Sequence, residues 1–266
     1  MSQAAIVLVK LGGSLITEKA RAETPRPEVI ARLAGEIARA HRDTPFRLIV
    51  GHGSGSFGHV AARESGIPQG IRSADQLPGV SRTQERAAAL HRLVLTELEK
   101  AGALPFSIAP SSCLVSDRGR PAAFAAEPLL LALGQGLLPV TYGDVVMDRS
   151  QGVAICSTET LFEAVTAALQ GSGQTVLRAL WLGETDGLYD ADGRTVPRIS
   201  AADLGQAARA IGDPAGTDVT GGMLHRVETA LGLARLGVPS LLLNGLTPGL
   251  LERALRGEPV TGTEVL

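Results

Sequence analysis

Short apolar runs separated by stretches of helical period constrain this chain more than any other feature. Ile6-Val7-Leu8-Val9, Phe46-Arg47-Leu48-Ile49-Val50 and Phe106-Ser107-Ile108-Ala109 each read as strands. So do Leu137-Leu138-Pro139-Val140-Thr141, Val176-Leu177-Arg178-Ala179-Leu180-Trp181-Leu182 and Ser240-Leu241-Leu242-Leu243-Asn244. Between them, residues 27–42, 81–101, 128–133, 158–169, 201–210, 220–236 and 248–256 read as helices. In the first of these, Val29, Ile30, Leu33, Ile37 and Ala38 fall at helical spacing, and Pro27 suits a first turn, where its missing N–H costs nothing. Ser81 followed by Gln84 and Glu85 reads as a cap with an acidic first turn. Residues 145–148 and 152–155 flank a polar turn, as a hairpin would. Strands alternating with helices predict an α/β fold: a three-layer αβα sandwich with a mostly parallel central sheet. No repeat or low-complexity linker divides the 266 residues, so one unit with two lobes, 1–170 and 171–266, is expected.

Composition narrows the function classes. A net charge of −2 offers no basic patch for nucleic acid. No apolar run approaches the roughly 18 residues that a membrane helix needs. The first residues lack the basic and apolar regions of a secretory signal, and a cytoplasmic protein is expected. Cys113 and Cys156 read as small buried residues; their spacing suits no metal site.

Chemistry concentrates in two glycine-rich segments that follow the first two strands. The stretch Gly51-His52-Gly53-Ser54-Gly55-Ser56-Phe57-Gly58-His59 offers backbone N–H groups with little steric cover, a loop suited to wrap an anion. His59 closes it, within reach of that anion. Lys10 ends the first strand beside Leu11-Gly12-Gly13-Ser14, and strand ends of open α/β sheets are where ligands gather. Lys19 follows a turn that could fold it back; two lysines aimed at one point would stabilise a transferring phosphoryl group. The alternatives are a strand-end lysine at position 10 and a solvated one at 19. Neither segment has the phosphate-loop pattern of glycine, four residues, then Gly-Lys-Ser/Thr.

Val9-Lys10-Leu11-Gly12-Gly13-Ser14-Leu15-Ile16-Thr17-Glu18-Lys19 resembles the N-terminal signature of the amino acid kinase superfamily. Together with the His59-ended segment it is similar to the isopentenyl phosphate kinases within that superfamily. Glu184-Thr185-Asp186-Gly187-Leu188-Tyr189-Asp190, Asp218-Val219-Thr220-Gly221-Gly222-Met223 and the terminal Gly262-Thr263-Glu264-Val265-Leu266 resemble further blocks in the expected order. The resemblance implies an ATP- and Mg²⁺-dependent kinase, commonly a homodimer, acting on a small monophosphate. Isopentenyl phosphate would become isopentenyl diphosphate, an isoprenoid precursor. By the family pattern Lys10 and Lys19 contact phosphates in the line of transfer, and Gly12, Gly13 and Ser14 face the ATP phosphates. Gly53, Ser54, Gly55, Gly58 and His59 hold the substrate phosphate, and Asp144 lies near it. Asp186, Tyr189, Gly221 and Gly222 belong to the nucleotide side. No protein ligand to the metal is assigned.

Two positions depart from the pattern. Arg226 stands where a lysine is usual; it keeps the charge but presents a planar fork. Ser157-Thr158-Glu159-Thr160 stands where an aspartate organises the lysines, so Glu159 either does this with a longer arm or is a helix-start acid. An organic tail would need an apolar wall, for which Ala87, Ala88, His91, Val145 and Ile155 are candidates. A kinase for a phosphonate, similar to fosfomycin kinase, and a nucleotide sensor without catalysis are the competing readings.

Overall fold

The structure is a computed structural model that describes residues 4–190, 192–200 and 221–266, except for the side chains of residues 221–224. The expected 201–210 helix and Asp218-Val219-Thr220 lie outside the described residues. In chain order the strands are β1 (Ile6–Leu11), β2 (Arg47–His52), β3 (Pro105–Ser107), β4 (Leu114–Asp117), β5 (Arg120–Phe124) and β6 (Leu138–Tyr142). They continue as β7 (Asp144–Asp148), β8 (Gly152–Cys156), β9 (Val176–Gly183), β10 (Arg198–Ile199), β11 (Ser240–Asn244) and β12 (Thr263–Val265). The helices are α1 (Gly13–Ile16), α2 (Pro27–Asp43), α3 (Gly55–Glu64), α4 (Leu77–Lys100), α5 (Pro110–Cys113), α6 (Glu127–Gly134) and α7 (Thr158–Gly171), then Gly221–Arg235 and Leu250–Arg256. None of the described helices is long and apolar enough to cross a membrane.

Among the described residues the larger sheet has eight strands in the order β10-β12-β11-β9-β1-β2-β6-β3, with β11–β12 its antiparallel pairing. β1 lies between β2 and β9, parallel to both, so both halves of the sequence build one sheet. All six β1 residues are buried because the strand is covered on both faces. Its side chains alternate: Ile6 and Leu8 join the core with Leu161, Phe162, Val165 and Val227, while Val7, Val9 and Leu11 join Ile30, Leu33, Ile37, Leu90 and Val94. These two cores make the three layers that the alternating pattern predicts. Gly51 is needed within this packing, since a Cβ there would lie 2.7 Å from Phe162 Cε1. A smaller sheet, β5-β4-β7-β8, carries the expected hairpin as β7–β8.

Local expectations fail where tertiary contacts intervene. The 51–59 stretch is not one loop. Pairing of Gly51 and His52 with both β1 and β6 prolongs β2, and α3 begins already at Gly55, so His59 sits on a helix. Ser81 lies inside α4 instead of capping it. α4 has no side-chain cap; the capping box sits on the short 3₁₀ turn Ala74–Gln76 just before it, where the Gln76 carboxamide accepts from the Arg72 and Ser73 amides at 2.7 and 3.3 Å. β4 and β5 escaped the sequence reading because β5 is largely exposed and lacks an apolar alternation.

The start of the Leu250–Arg256 helix depends on a distant residue. Glu36, 1% exposed, accepts from the amides of Gly249, Leu251 and Glu252 at 3.0, 3.1 and 3.3 Å, and from Arg32 Nη1 at 2.7 Å. This carboxylate caps the last helix across the interface with α2. Glu36→Ala is expected to lower unfolding stability by about 3 kcal/mol, read by urea denaturation.

Candidate active site

A cleft of about 520 Å³ opens at the carboxyl ends of the central strands. Lys10 reaches it from β1, Gly53 just past β2, Gly143 past β6 and Glu184 past β9. Adjacent parallel strands ending on one side of a sheet leave such a crevice.

Its floor is made of two turns that touch through their backbones. A Cβ on Gly13 would lie 2.7 Å from Gly55 N, and one on Gly53 would lie 2.8 Å from Gly13 N. Gly55 has φ +50°, and a side chain there would run into Thr17 Oγ1. Thr17 knits the turns together: its hydroxyl donates to Gly13 O at 2.8 Å and accepts from Ser56 N at 3.0 Å. These glycines are therefore needed for contact with each other as well as for open amides. The Gly53 amide is already used, donating to Leu11 O at 3.0 Å. Gly12 likewise donates to Leu182 O at 2.8 Å, and a Cβ would crowd that carbonyl.

Charges meet above this floor. Lys10 Nζ lies 2.5 Å from Glu159 Oε1, a largely buried ion pair that lines the cleft. Burial would raise the Glu159 carboxyl, but the Lys10 ammonium outweighs it and holds the group at about 2. Burial lowers Lys10 below its ordinary value, Glu159 opposes this, and the Arg226 guanidinium adds to the lowering. With Glu159 ionised, a neutral lysine would leave a buried carboxylate uncompensated, so the pair is held as ammonium and carboxylate. Glu159 opens α7, capped by Ser157 Oγ accepting from Thr160 N at 3.1 Å, and it also reaches Lys10. Lys19, 55% exposed at its side chain, lies 3.6 Å from Glu184, whose other oxygen takes Arg26 at 2.9 Å. Arg226 presses on the end of β9, where a Cβ at Gly183 would collide with its Nη1. The neighbouring His225 Nε2 lies 3.1 Å from Ser157 Oγ, tying the Gly221–Arg235 helix to the start of α7.

Two kinds of histidine flank the turns. His59 faces the cleft from α3. Lost hydration lowers its imidazole below the ordinary value; Glu159 opposes this, and Lys10 and Arg63 reinforce it. His52 is fully buried, with Nδ1 3.0 Å from Gly53 O and Nε2 3.0 Å from His91 Nδ1. His91 Nε2 in turn lies 2.9 Å from Ser107 Oγ, and the two rings stack with Tyr142. Burial pushes His52 down to about 4 and His91 still lower.

Lys10, Gly13, Ser14, Lys19, Gly53, Ser54, Gly55, His59, Glu159 and Arg226 thus line one cleft. Other expected residues do not. Asp144 turns away, accepting from Val145 N at 2.8 Å and Ser111 N at 3.2 Å, so it anchors α5 beneath the smaller sheet. Gly58 packs against Ser54 and against Ala87 of α4, where a side chain would not fit. Asp186 and Tyr189 do not line the cleft; they bond each other, Asp186 N donating to the Tyr189 hydroxyl at 3.2 Å. Gly221 and Gly222 begin a helix, and their surroundings lie outside the described residues. Of the candidate apolar wall, Ile155 lines the cleft, joined by Val60 and Cys156. Ala87 and His91 are buried elsewhere, Ala88 does not line the cleft, and Val145 belongs to a small cluster with Ala62, Ile67 and Val153 against which Ile155 packs. Both cysteines are free thiols, and burial pushes them up to about 11 at Cys113 and about 12 at Cys156. Thr17, Arg63 and Glu184 were missed; only the spacing of Thr17 from Gly13, one helical turn, hinted at a contact.

Two expectations follow from this electrostatics. Glu159→Leu alone should cost about 3–5 kcal/mol by leaving a buried ammonium, while Lys10→Met added to it should recover most of the loss in urea melts. For His52 the folded value near 4 lies below the ordinary 6.5. Its stabilising contribution is complete above pH 6.5. As pH falls toward 4 the unfolded chain takes up a proton that the buried ring refuses, removing about 1.4 kcal/mol per pH unit. The urea midpoint of His52→Asn should fall less steeply over that window.

Comparison with known proteins agrees with this geometry. Residues 5–244 match the model of the amino acid kinase family. The isopentenyl phosphate kinase of Methanothermobacter thermautotrophicus is 31% identical over 273 residues, covering 98% of each chain. That of Haloferax volcanii is 31% identical over 262 residues, covering 95% of this chain and 99% of the relative. Among solved structures, one described as an isopentenyl phosphate kinase superposes with a TM-score of 0.82 at 30% identity, over 98% of this chain and 100% of that one. With its strand-end lysine, its paired glycine turns and a family match that spans most of its length, the chain belongs to the amino acid kinase family.

Proposed function

We propose that this protein is an ATP-dependent kinase that converts isopentenyl phosphate into isopentenyl diphosphate. The observation that carries this reading is the convergence of Lys10, Lys19 and Arg226 on the same cleft as the two glycine turns and His59, beside an apolar wall of Val60 and Ile155. Cations and turn amides suit two phosphate groups, and the wall suits a short hydrocarbon tail. Its full-length relatives of the same name support that substrate.

An oxygen of the acceptor phosphate attacks the γ-phosphorus of ATP, the bond to the β-phosphate oxygen breaks, and ADP leaves. A phosphate monoester is largely dianionic near neutral pH, so no strong base is required. The protein supplies alignment and charge. His59 donates a hydrogen bond to the acceptor phosphate and keeps its oxygen in line. Lys10, held by Glu159, and Lys19 balance charge on the phosphoryl group in flight. Arg226 and the Gly13–Ser14 turn hold the nucleotide phosphates. In this reading residues before 170 mainly bind the acceptor and those after it mainly the nucleotide.

Among the described residues no group of three or more His, Cys, Asp or Glu side chains is placed to hold a metal ion. The carboxylates in the cleft, Glu159 and Glu184, are engaged by cations. The donor set therefore fits Mg²⁺ carried by ATP phosphates and water, where it would neutralise phosphate charge. A cytoplasmic homodimer belongs to the same reading, and light scattering at micromolar concentration tests the dimer.

Coupled ADP release with ATP, Mg²⁺ and isopentenyl phosphate is the direct test. We expect turnover that falls by about a hundredfold in His59→Ala and a raised KM for ATP in Arg226→Ala. Turnover of fosfomycin in place of isopentenyl phosphate would reassign the acceptor as a phosphonate. ATP binding with no turnover of any acceptor would make the protein a sensor.

A further inference from the structure

The buried histidine pair has no part in the chemistry above, yet it touches the acceptor turn. Its hydrogen-bond directions follow from one fact: the Gly53 carbonyl can only accept. His52 Nδ1, 3.0 Å from it, must carry the proton. The neutral ring then has a bare Nε2, which accepts from His91 Nδ1–H at 3.0 Å. His91 Nε2 is bare in its turn and accepts from the Ser107 hydroxyl at 2.9 Å. The chain of donors runs from an exposed serine on β3, through two buried imidazoles, to one carbonyl in the turn. The His52 backbone is held as firmly, its carbonyl accepting from Thr158 Oγ1 at 2.6 Å and from Gly143 N at 2.9 Å.

This anchorage bears on the cleft through the next peptide. In a trans peptide the C=O and the following N–H point in opposite directions. A Gly53 carbonyl drawn inward to His52 turns the Ser54 N–H outward. Ser54 lines the cleft, and its nitrogen would lie 3.4 Å from a Cβ on Gly143, another lining residue. The Gly53 amide is spent on Leu11 O, so the Ser54 amide is the first in the turn that this arrangement aims at a ligand.

We propose that His52 is a positioning residue for acceptor binding: by holding the Gly53 carbonyl it orients the Ser54 amide toward the acceptor phosphate, with His91 and Ser107 fixing its tautomer. The inference rests on the reading of this turn as the acceptor-phosphate site. It separates His52 from a merely structural buried histidine, because only the donor at Nδ1 matters for the turn.

Three substitutions divide the ring's functions. His52→Asn places an amide donor near the Nδ1 position, His52→Gln places its polar group near Nε2, and His52→Phe removes both. Steady-state kinetics should show the isopentenyl phosphate KM raised about tenfold in the Gln and Phe variants, the equivalent of one lost hydrogen bond. The Asn variant should stay close to wild type, and the KM for ATP should be unmoved in all three. Thermal melts identify any variant that has not folded, and ¹⁵N NMR of the wild-type histidines supplies a readout that needs no variant. An Nδ1-protonated tautomer at His52 is expected, and an Nε2-protonated one overturns the proposal. So does an unchanged acceptor KM in folded His52→Phe, or a parallel rise in both KM values. His59→Ala, run alongside, tells the two failures apart. If it collapses turnover while folded His52→Phe leaves the acceptor KM unchanged, positioning by His52 alone is refuted; if neither variant changes turnover or the acceptor KM, the turn is not the acceptor site and both readings fall.

Discussion

Gly13, Gly53 and Gly55 meet backbone against backbone, and the cleft exists because they do. Each of these positions would drive a Cβ into the opposite turn at 2.8 Å or less. No side chain but hydrogen allows β1 and β2 to end so close together while their chains diverge into α1 and α3. Thr17 then fastens the contact from one side. The close approach leaves the floor of the cleft lined by main chain, which suits phosphates: main-chain amides carry partial positive charge and do not titrate. A larger residue at any of the three positions would push the turns apart and move the strand-end lysine relative to the floor of the cleft.

Around this floor the protein buries polar groups in two different ways. Lys10 and Glu159 stay charged and are matched to each other, so that one ammonium remains fixed in the cleft. Ion pairing of this kind is costly to desolvate and is kept where a fixed charge is useful. His52 and His91 stay neutral, their pKa values lowered by burial, and act as directional hydrogen-bond groups. A charged group in their place would impose a second field within the fold beside Lys10, whereas neutral rings shape the turn without adding charge. His59, at the cleft surface, stands between these cases, its proton affinity lowered mainly by lost hydration, with Glu159 opposing and Lys10 and Arg63 reinforcing.

The two departures from the family pattern fit the same framework. Glu159 begins α7 and, with its longer side chain, still reaches Lys10 at 2.5 Å. Arg226 lies against Gly183, a position open enough to receive a broad guanidinium because it has no side chain. His225, beside it, bonds the cap of the helix that carries Glu159. The Gly221–Arg235 helix and the Lys10–Glu159 ion pair are therefore mechanically linked through the start of α7.

Much of the fold could be read locally. Apolar runs and helical spacing located the central strands and most helices, since a strand covered on both faces must be apolar throughout and a packed helix must repeat every turn. Lys10, the glycine positions and His59 were legible for the same reason: backbone freedom and strand-end placement are properties of short segments. The short, half-buried β4 and the largely exposed β5 left no such pattern, and Asp144, Gly58 and His91 gave no hint of whether they faced the cleft or the core. Those outcomes depend on partners far along the chain: Glu159 lies 149 residues from Lys10, and His91 lies 39 from His52. The sequence by itself determined which segments could form strands, helices and bare turns. Only the tertiary structure decided which amides are already spent, which carboxylate meets which cation, and which histidine stays dry, because hydrogen bonding and burial are settled by neighbours in space.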